Sequence, residues 1–110
     1  MRVATIDIGT NTVLLLIVEM GAGGELVPIV DRAEITRLGQ GVDRTRALAP
    51  EAIERTLACL SDYAADIARR KVDRVAVVGT SAMRDAGGTG GSSFVDRARA
   101  VLGVAPKVVS

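Results

Sequence analysis

The 110-residue chain has no histidine and no tryptophan, and only one cysteine, one tyrosine and one phenylalanine. Without histidine, the common zinc ligand sets and the His-dependent catalytic triads are excluded. Cys59 alone builds no internal disulfide framework, so the expected compartment is the reducing cytoplasm. The scarcity of aromatic rings argues against a platform that stacks nucleobases or sugars. Charge is nearly balanced: 14 Lys and Arg against 13 Asp and Glu leave a net charge of +1. No excess of one sign draws the chain to nucleic acid or to an acidic membrane, and neither is an expected partner. The start, Met1-Arg2-Val3-Ala4, enters a strand pattern with Asp7 inside it, so neither a signal peptide nor a membrane span is expected.

What remains is 48% hydrophobic and 25% charged, the balance of a globular domain with an aliphatic core. A chain of this length folds as one domain that buries roughly 65% of its unfolded surface. Arg2 to Ile8 and Val13 to Met20 read as strands whose nearly continuous apolar content predicts cover on both faces. Gly21-Ala22-Gly23-Gly24 breaks the pattern and Glu25 to Leu38 resumes it, completing an antiparallel meander. From Pro50 to Arg70, Ile53, Leu57, Leu60, Ala64 and Ile67 recur at helical spacing, with Pro50 suited to the first helical position. Arg69-Arg70-Lys71 suits the negative end of that helix better than a nucleic-acid patch. Arg74 to Val78 is a compact strand, Ser93 to Leu102 a weaker helix and Val104 to Val109 a last strand. The order βββαβαβ predicts an α/β domain with a mixed sheet. The stretch Gly87 to Ser93 lacks the lysine of a P-loop and reads as a flexible connector.

The chemistry concentrates in Asp7-Ile8-Gly9-Thr10-Asn11-Thr12, a polar hexapeptide between two apolar strands. Backbone N–H groups, two hydroxyls and an amide at one tight turn suit an anionic oxygen, and Gly9 lets a ligand approach the backbone. Bare Asp7 would repel a phosphate, which makes sense if a hydrated Mg²⁺ or a reacting water sits between them. A hairpin whose Asp and Asn merely satisfy turn backbone explains the same residues, and the hexapeptide alone leaves both readings open. A second polar cluster, Thr80-Ser81-Ala82-Met83-Arg84-Asp85-Ala86, again follows a buried strand, and Arg84 brings a planar cation suited to phosphate. If the first and fourth strands are neighbours, both clusters open at one sheet edge. Cys59 lies beside the helix stripe and reads as packing, not as a nucleophile.

Four segments in order, Asp7-Ile-Gly-Thr-Asn-Thr, Arg37-Leu-Gly-Gln-Gly-Val, Leu48-Ala-Pro-Glu-Ala-Ile and Thr80-Ser-Ala-Met-Arg-Asp-Ala, resemble the N-terminal motifs of the exopolyphosphatase and guanosine pentaphosphate phosphohydrolase (Ppx/GppA) family. The first motif alone is shared with actin-like ATPases and sugar kinases; the Thr-Ser-Ala-x-Arg block favours the phosphatases. The resemblance implies an actin-like, ribonuclease H-like lobe, residues 1–110 being the first of two. It implies Mg²⁺-dependent removal of terminal phosphate from polyphosphate or of the 5′ γ-phosphate from guanosine pentaphosphate. By position, Gly9, Thr10, Asn11, Thr12, Thr80, Ser81 and Arg84 would hold phosphate, and Asp7 the metal or its water.

The family pattern goes on to a Ser-Gly-x-Glu-Glu-Ala block, whose glutamate is the expected base, and to a second phosphate turn in the other lobe. Both are expected beyond Ser110, the last residue of this sequence. The chain is therefore expected to be a fragment, inactive by itself and without a catalytic residue of its own, whose open face is a candidate for homodimerisation. Gly88 stands where relatives usually carry Asn, and Ala49 where a Ser or Thr usually caps the helix. Two other readings stay open: a lobe of an actin-like sugar or acid kinase or ATPase, and a non-catalytic phosphate-binding or assembly module that ends at Ser110.

Overall fold

The computed structural model describes residues 1–40, 48–79 and 88–108, with the backbone alone for 88–93 and 108. Three strands, β1 (Arg2–Ile8), β2 (Thr12–Met20) and β3 (Leu26–Ile35), precede helix α1 (Pro50–Arg69). Strand β4 (Arg74–Gly79), helix α2 (Gly88–Leu102) and strand β5 (Lys107–Val108) follow. All five strands join one sheet in the order β3-β2-β1-β4-β5. The first three pair antiparallel, and β4 pairs parallel with both β1 and β5, so the expected βββαβαβ mixed sheet is present.

Register explains the core. Ala4, Ile6 and Ile8 stand opposite Ile17, Leu15 and Val13 of β2 and opposite Val75, Val77 and Gly79 of β4. Partners across a ladder share a face. This face is buried against Leu57, Leu60 and Tyr63 of α1 and Phe94 and Ala98 of α2. The opposite face carries Thr5, Asp7, Leu14 and Leu16, all exposed. Leu14 is 45% and Leu16 38% exposed, which corrects the expectation of cover on both faces. The apolar run of β2 does reflect two apolar faces, but among the described residues both helices pack on the same one.

Helix α1 begins at Pro50 after Ala49, which offers no side-chain cap; Glu51 lies in the first turn and Arg69 in the last. Its buried residues are Ala52, Thr56, Leu57, Cys59, Leu60, Tyr63 and Asp66, a stripe turned slightly from the predicted one, with Ile53 and Ile67 partly buried at its margin. Tyr63 causes the turn: its hydroxyl donates to the Val13 carbonyl at 2.8 Å, tying the middle of α1 to the start of β2. Arg32 of β3 lies over the Tyr63 ring, 4.9 Å from its centre, and donates to Asp66 at 2.7 Å. Arg69 bonds the other oxygen of Asp66. The helix stops where Lys71 enters the left-handed region (φ 52), and Arg2 donates to the Arg70 carbonyl at 2.7 Å. The basic triplet therefore ends the helix and docks it on β1.

Helix α2 is longer than the periodicity predicts. Residues 88–93, read from sequence as flexible connector, are helical. Phe94 and Ala98 anchor the helix in the core, and Arg97 grips Glu54 of α1 at 2.6 and 3.2 Å. Once a helix is nucleated, each added residue costs only propagation, so the packed turns outweigh the poor propensity of glycine. Strand β5 begins later than predicted because Gly103 (φ 76) caps α2 and Pro106, which has no N–H, delays the ladder to Lys107. Val109, the predicted last residue of that strand, and Ser110, beyond which the sequence reading puts the catalytic glutamate, both lie outside the described residues.

The guanidinium of Arg32, hydrogen-bonded to Asp66, holds that carboxyl below the usual carboxylate range, with help from Arg69. A folded pKa below the unfolded one means the stabilisation is complete above the ordinary aspartate range of about 4 and fades as pH falls through the folded pKa. Asp66→Asn is thus expected to be less stable than wild type at neutral pH, with the gap closing on acidification from about pH 5 to pH 2. Urea unfolding across that range checks it, and a constant gap would contradict the assignment.

Candidate functional site

The predicted hexapeptide is divided by the structure. Asp7 and Ile8 end β1, Thr12 already belongs to β2, and only Gly9, Thr10 and Asn11 lie between the strands. Gly9 N–H donates to the Thr12 carbonyl at 2.9 Å, closing a two-residue hairpin around Thr10 and Asn11. A Cβ on Gly9 would lie 2.6 Å from that carbonyl oxygen, so the closure requires glycine. Because this N–H is spent in the turn, Gly9 gives a ligand room, not a donor. Neither Thr10 nor Asn11 has the positive φ of the primed turns that match strand twist, so the hairpin needs support from outside.

The segment after β3 supplies it. Thr36 and Arg37 N–H groups both donate to the Asn11 carbonyl, at 2.9 and 3.0 Å, and Gly39 N–H donates to the Thr10 carbonyl at 2.9 Å. Arg55 of α1 braces this segment in turn, donating to the Thr36 carbonyl at 3.0 Å and to Gln40 Oε1 at 2.7 Å. Both turn carbonyls are thereby pointed into protein. The Asn11 N–H and side-chain amide make no hydrogen bond among the described residues, and Thr10 and Asn11 are exposed. Donors outward and carbonyls inward is the polarity an anion requires. Arg37, Gly39 and Gln40 complete a hollow of about 470 Å³ with Asn11, Thr12 and Ile35. Their motif is visible in the sequence, but its chemistry is not: nothing in Arg37-Leu-Gly-Gln shows that it folds back on the first turn.

Asp7 lies on the open face of the sheet, which Thr12 and Ile35 share through the ladders. It is exposed, opposite Leu14 and Val78 in the ladders, and shares a hollow of about 300 Å³ with Thr5, Leu14, Leu15, Leu16 and Asp31. Its carboxylate makes no hydrogen bond or ion pair among the described residues. No group of three carboxylate, cysteine or histidine side chains among the described residues forms a closed metal cage. A single open carboxylate such as Asp7 is the kind of protein ligand that Mg²⁺ takes together with several waters and substrate phosphates.

Strand β4 ends at Gly79, paired with Ile8, so β1 and β4 deliver the chain to the same sheet edge. Thr80, Ser81 and Arg84 follow Gly79 in sequence and lie outside the described residues. Cys59 is buried, 1% exposed, and burial together with a hydrogen bond to Glu34 pushes its thiol up to about 12. It is a packing residue. No described helix is long and apolar enough to cross a membrane.

The model of the Ppx/GppA phosphatase family matches residues 16–110. The chain belongs to that family. The matched span begins within β2, after the turn, but likeness to solved structures of the Ppx/GppA family includes the turn. The crystal structure of the Aquifex aeolicus member superimposes with a TM-score of 0.91 at 37% identity, covering 99% of this chain and 35% of that one. Exopolyphosphatase 2 of Mycobacterium tuberculosis is 52% identical over 87 residues, 76% of this chain and 27% of the relative. The guanosine-5′-triphosphate,3′-diphosphate pyrophosphatase of Vibrio vulnificus is 31% identical over 107 residues, 97% of this chain and 21% of the relative. The chain thus spans between about a fifth and a third of the length of these relatives, and its fold is the actin-like α/β lobe that the Ppx/GppA resemblance implies.

The turn-to-turn contact has a direct test. A Cβ on Gly39 would fall 2.2 Å from Thr10 Cγ2, and Thr10 is stiff at χ1. Gly39→Ala is expected to destabilise the chain by about 1–3 kcal/mol, the range for overpacking, and Thr10→Ser in that background to restore part of the loss by removing the clashing methyl. Denaturant unfolding of the double-mutant cycle checks both.

Proposed function

We propose that this chain is the first lobe of a phosphohydrolase that cleaves terminal phosphoanhydride bonds in inorganic polyphosphate or in guanosine pentaphosphate. The observation that carries the reading is the β1–β2 turn, with its carbonyls tied inward, the Asn11 donors left outward and Asp7 beside it at the edge where β4 also ends. Membership of the Ppx/GppA family and the names of its relatives support the same class of substrate.

In this mechanism Asn11 and the hydroxyls of Thr10 and Thr12 hold the oxygens of the terminal phosphate, while Gly9 leaves space for it to sit against the backbone. Asp7 holds Mg²⁺ or its water shell, and when bound the ion offsets negative charge on the phosphate chain. Thr80, Ser81 and Arg84, which follow β4 in sequence, would add donors and a fixed positive charge. Phosphoryl transfer asks mainly for such positioning and charge neutralisation, so these residues grip and align the phosphate without forming a covalent bond to it. The attacking water and its glutamate base belong to the chain beyond Ser110 and the second lobe, and residues 1–110 alone bind phosphate without hydrolysing it.

The protein encoded by the complete reading frame containing this sequence is expected to release orthophosphate from polyphosphate in Mg²⁺. Asp7→Asn should lower kcat by about 10²-fold or more, the scale of losing one preorganised charge-stabilising group. Residues 1–110 alone should release none above buffer. Full activity of Asp7→Asn would remove Asp7 from the metal site, and turnover by residues 1–110 alone would overturn the assignment of the base to residues beyond Ser110.

A further inference from the structure

The hollow of about 470 Å³ beyond the β1–β2 turn brings in a guanidinium, that of Arg37, which the phosphate site at the turn does not use. Among the described residues its lining, Asn11, Thr12, Ile35, Arg37, Gly39 and Gln40, contains no carboxylate. Arg37 is exposed, and its guanidinium makes no hydrogen bond or ion pair among the described residues. Arg55, behind it, likewise enters no ion pair among the described residues and spends its donors on the Thr36 carbonyl and on Gln40 Oε1. Only the amide oxygen of Gln40 can accept from a guanidinium. Arg55 therefore fixes which way this amide points, and its NH₂ donors remain for something else.

The backbone of Arg37 is also unusual. It is left-handed at φ 52, a conformation that disfavours side chains with a Cβ. Three hydrogen bonds hold it there: Arg37 N–H to the Asn11 carbonyl at 3.0 Å, Gln40 N–H to the Arg37 carbonyl at 3.0 Å, and Gly39 N–H to the Thr10 carbonyl at 2.9 Å. Local strain that fixes a free guanidinium beside an anion-type turn points to use by a ligand. We propose that this hollow is a second anion subsite, in which Arg37 and the Gln40 amide grip a phosphate adjoining the one held at the β1–β2 turn. Shared lining by Asn11 and Thr12 makes the two positions contiguous, as consecutive units of one phosphoanhydride chain require. The subsite selects chains of phosphates over lone orthophosphate, and the same chemistry serves inorganic polyphosphate and the phosphate chain of a nucleotide. The inference rests on the phosphate reading of the turn given above.

Calorimetric titration of the 110-residue chain with orthophosphate, tripolyphosphate and GTP, each in Mg²⁺, tests it. Arg37→Gln removes the charge, and Arg37→Asn does so with a residue that tolerates the left-handed region, so a folding defect in the first is separated from loss of the subsite. Arg74→Gln, at the opposite end of the sheet, controls for net charge. Wild type is expected to bind tripolyphosphate at least tenfold more tightly than orthophosphate. Both Arg37 variants should lose about tenfold for tripolyphosphate and stay within twofold for orthophosphate, as expected for one charge-assisted pair. A matching loss for GTP extends the subsite to nucleotides, and unchanged GTP binding confines it to inorganic chains. Tripolyphosphate affinity within twofold of wild type in Arg37→Asn, or an equal loss in Arg74→Gln, overturns the subsite while the phosphate turn stands. Absence of binding by wild type to all three ligands overturns both.

Discussion

The site depends on one close approach, that of the Thr36–Gln40 segment to the β1–β2 turn. It brings Gly39 N–H to the Thr10 carbonyl and two further N–H groups to the Asn11 carbonyl, and it leaves no space for a side chain at position 39. The turn itself lacks the backbone twist that would let it close two strands unaided. Tied down by the second segment, it presents donors to solvent and hides its acceptors, so one set of contacts gives both rigidity and polarity. Preorganised dipoles of this kind need no rearrangement when charge arrives.

The rest of the fold holds that contact in place. Helix α1 reaches it twice, through Tyr63 at the start of β2 and through Arg55 at Thr36 and Gln40. Helix α2 is clipped to α1 by Arg97 and Glu54 and buried through Phe94 and Ala98. The parallel pairing of β1 with β4 brings the end of β4 to the same edge as the turn. Both helices lie on one face of the sheet, so Asp7, Leu14 and Leu16 stay exposed on the other. Thr12 and Ile35, which line the donor-rich hollow, share that open face with Asp7 through the ladders.

Most of the fold was legible in residues 1–110 because apolar periodicity reports it: the three meander strands, the Pro50 helix and the strand from Arg74 all follow from spacing. The element ends were not. Thr12 joins β2 because a ladder partner, Ile35, is available to it, and no local property of Thr-Asn-Thr announces that pairing. Residues 88–93 are helical despite their glycines because Phe94 and Ala98 nucleate α2 from its far side, a tertiary effect that propensity does not contain. For the site, Asp7 and the Gly9–Thr12 turn were readable as chemistry, whereas Arg37, Gln40 and Arg55 were not. Their roles come from the chain folding back from the end of β3 onto the first turn, which no window of sequence reveals.

The central claim is that the anion-binding edge of this lobe is the β1–β2 turn together with the segment that braces it. Amide NMR of the ¹⁵N-labelled 110-residue chain, titrated with pyrophosphate in Mg²⁺, tests it most directly. The account predicts the largest shifts at Asn11, Thr12, Arg37 and Gln40, with the amides of Arg69, Arg70 and Lys71 unmoved. Shifts concentrated at that basic triplet, with none at Asn11 or Arg37, would contradict it.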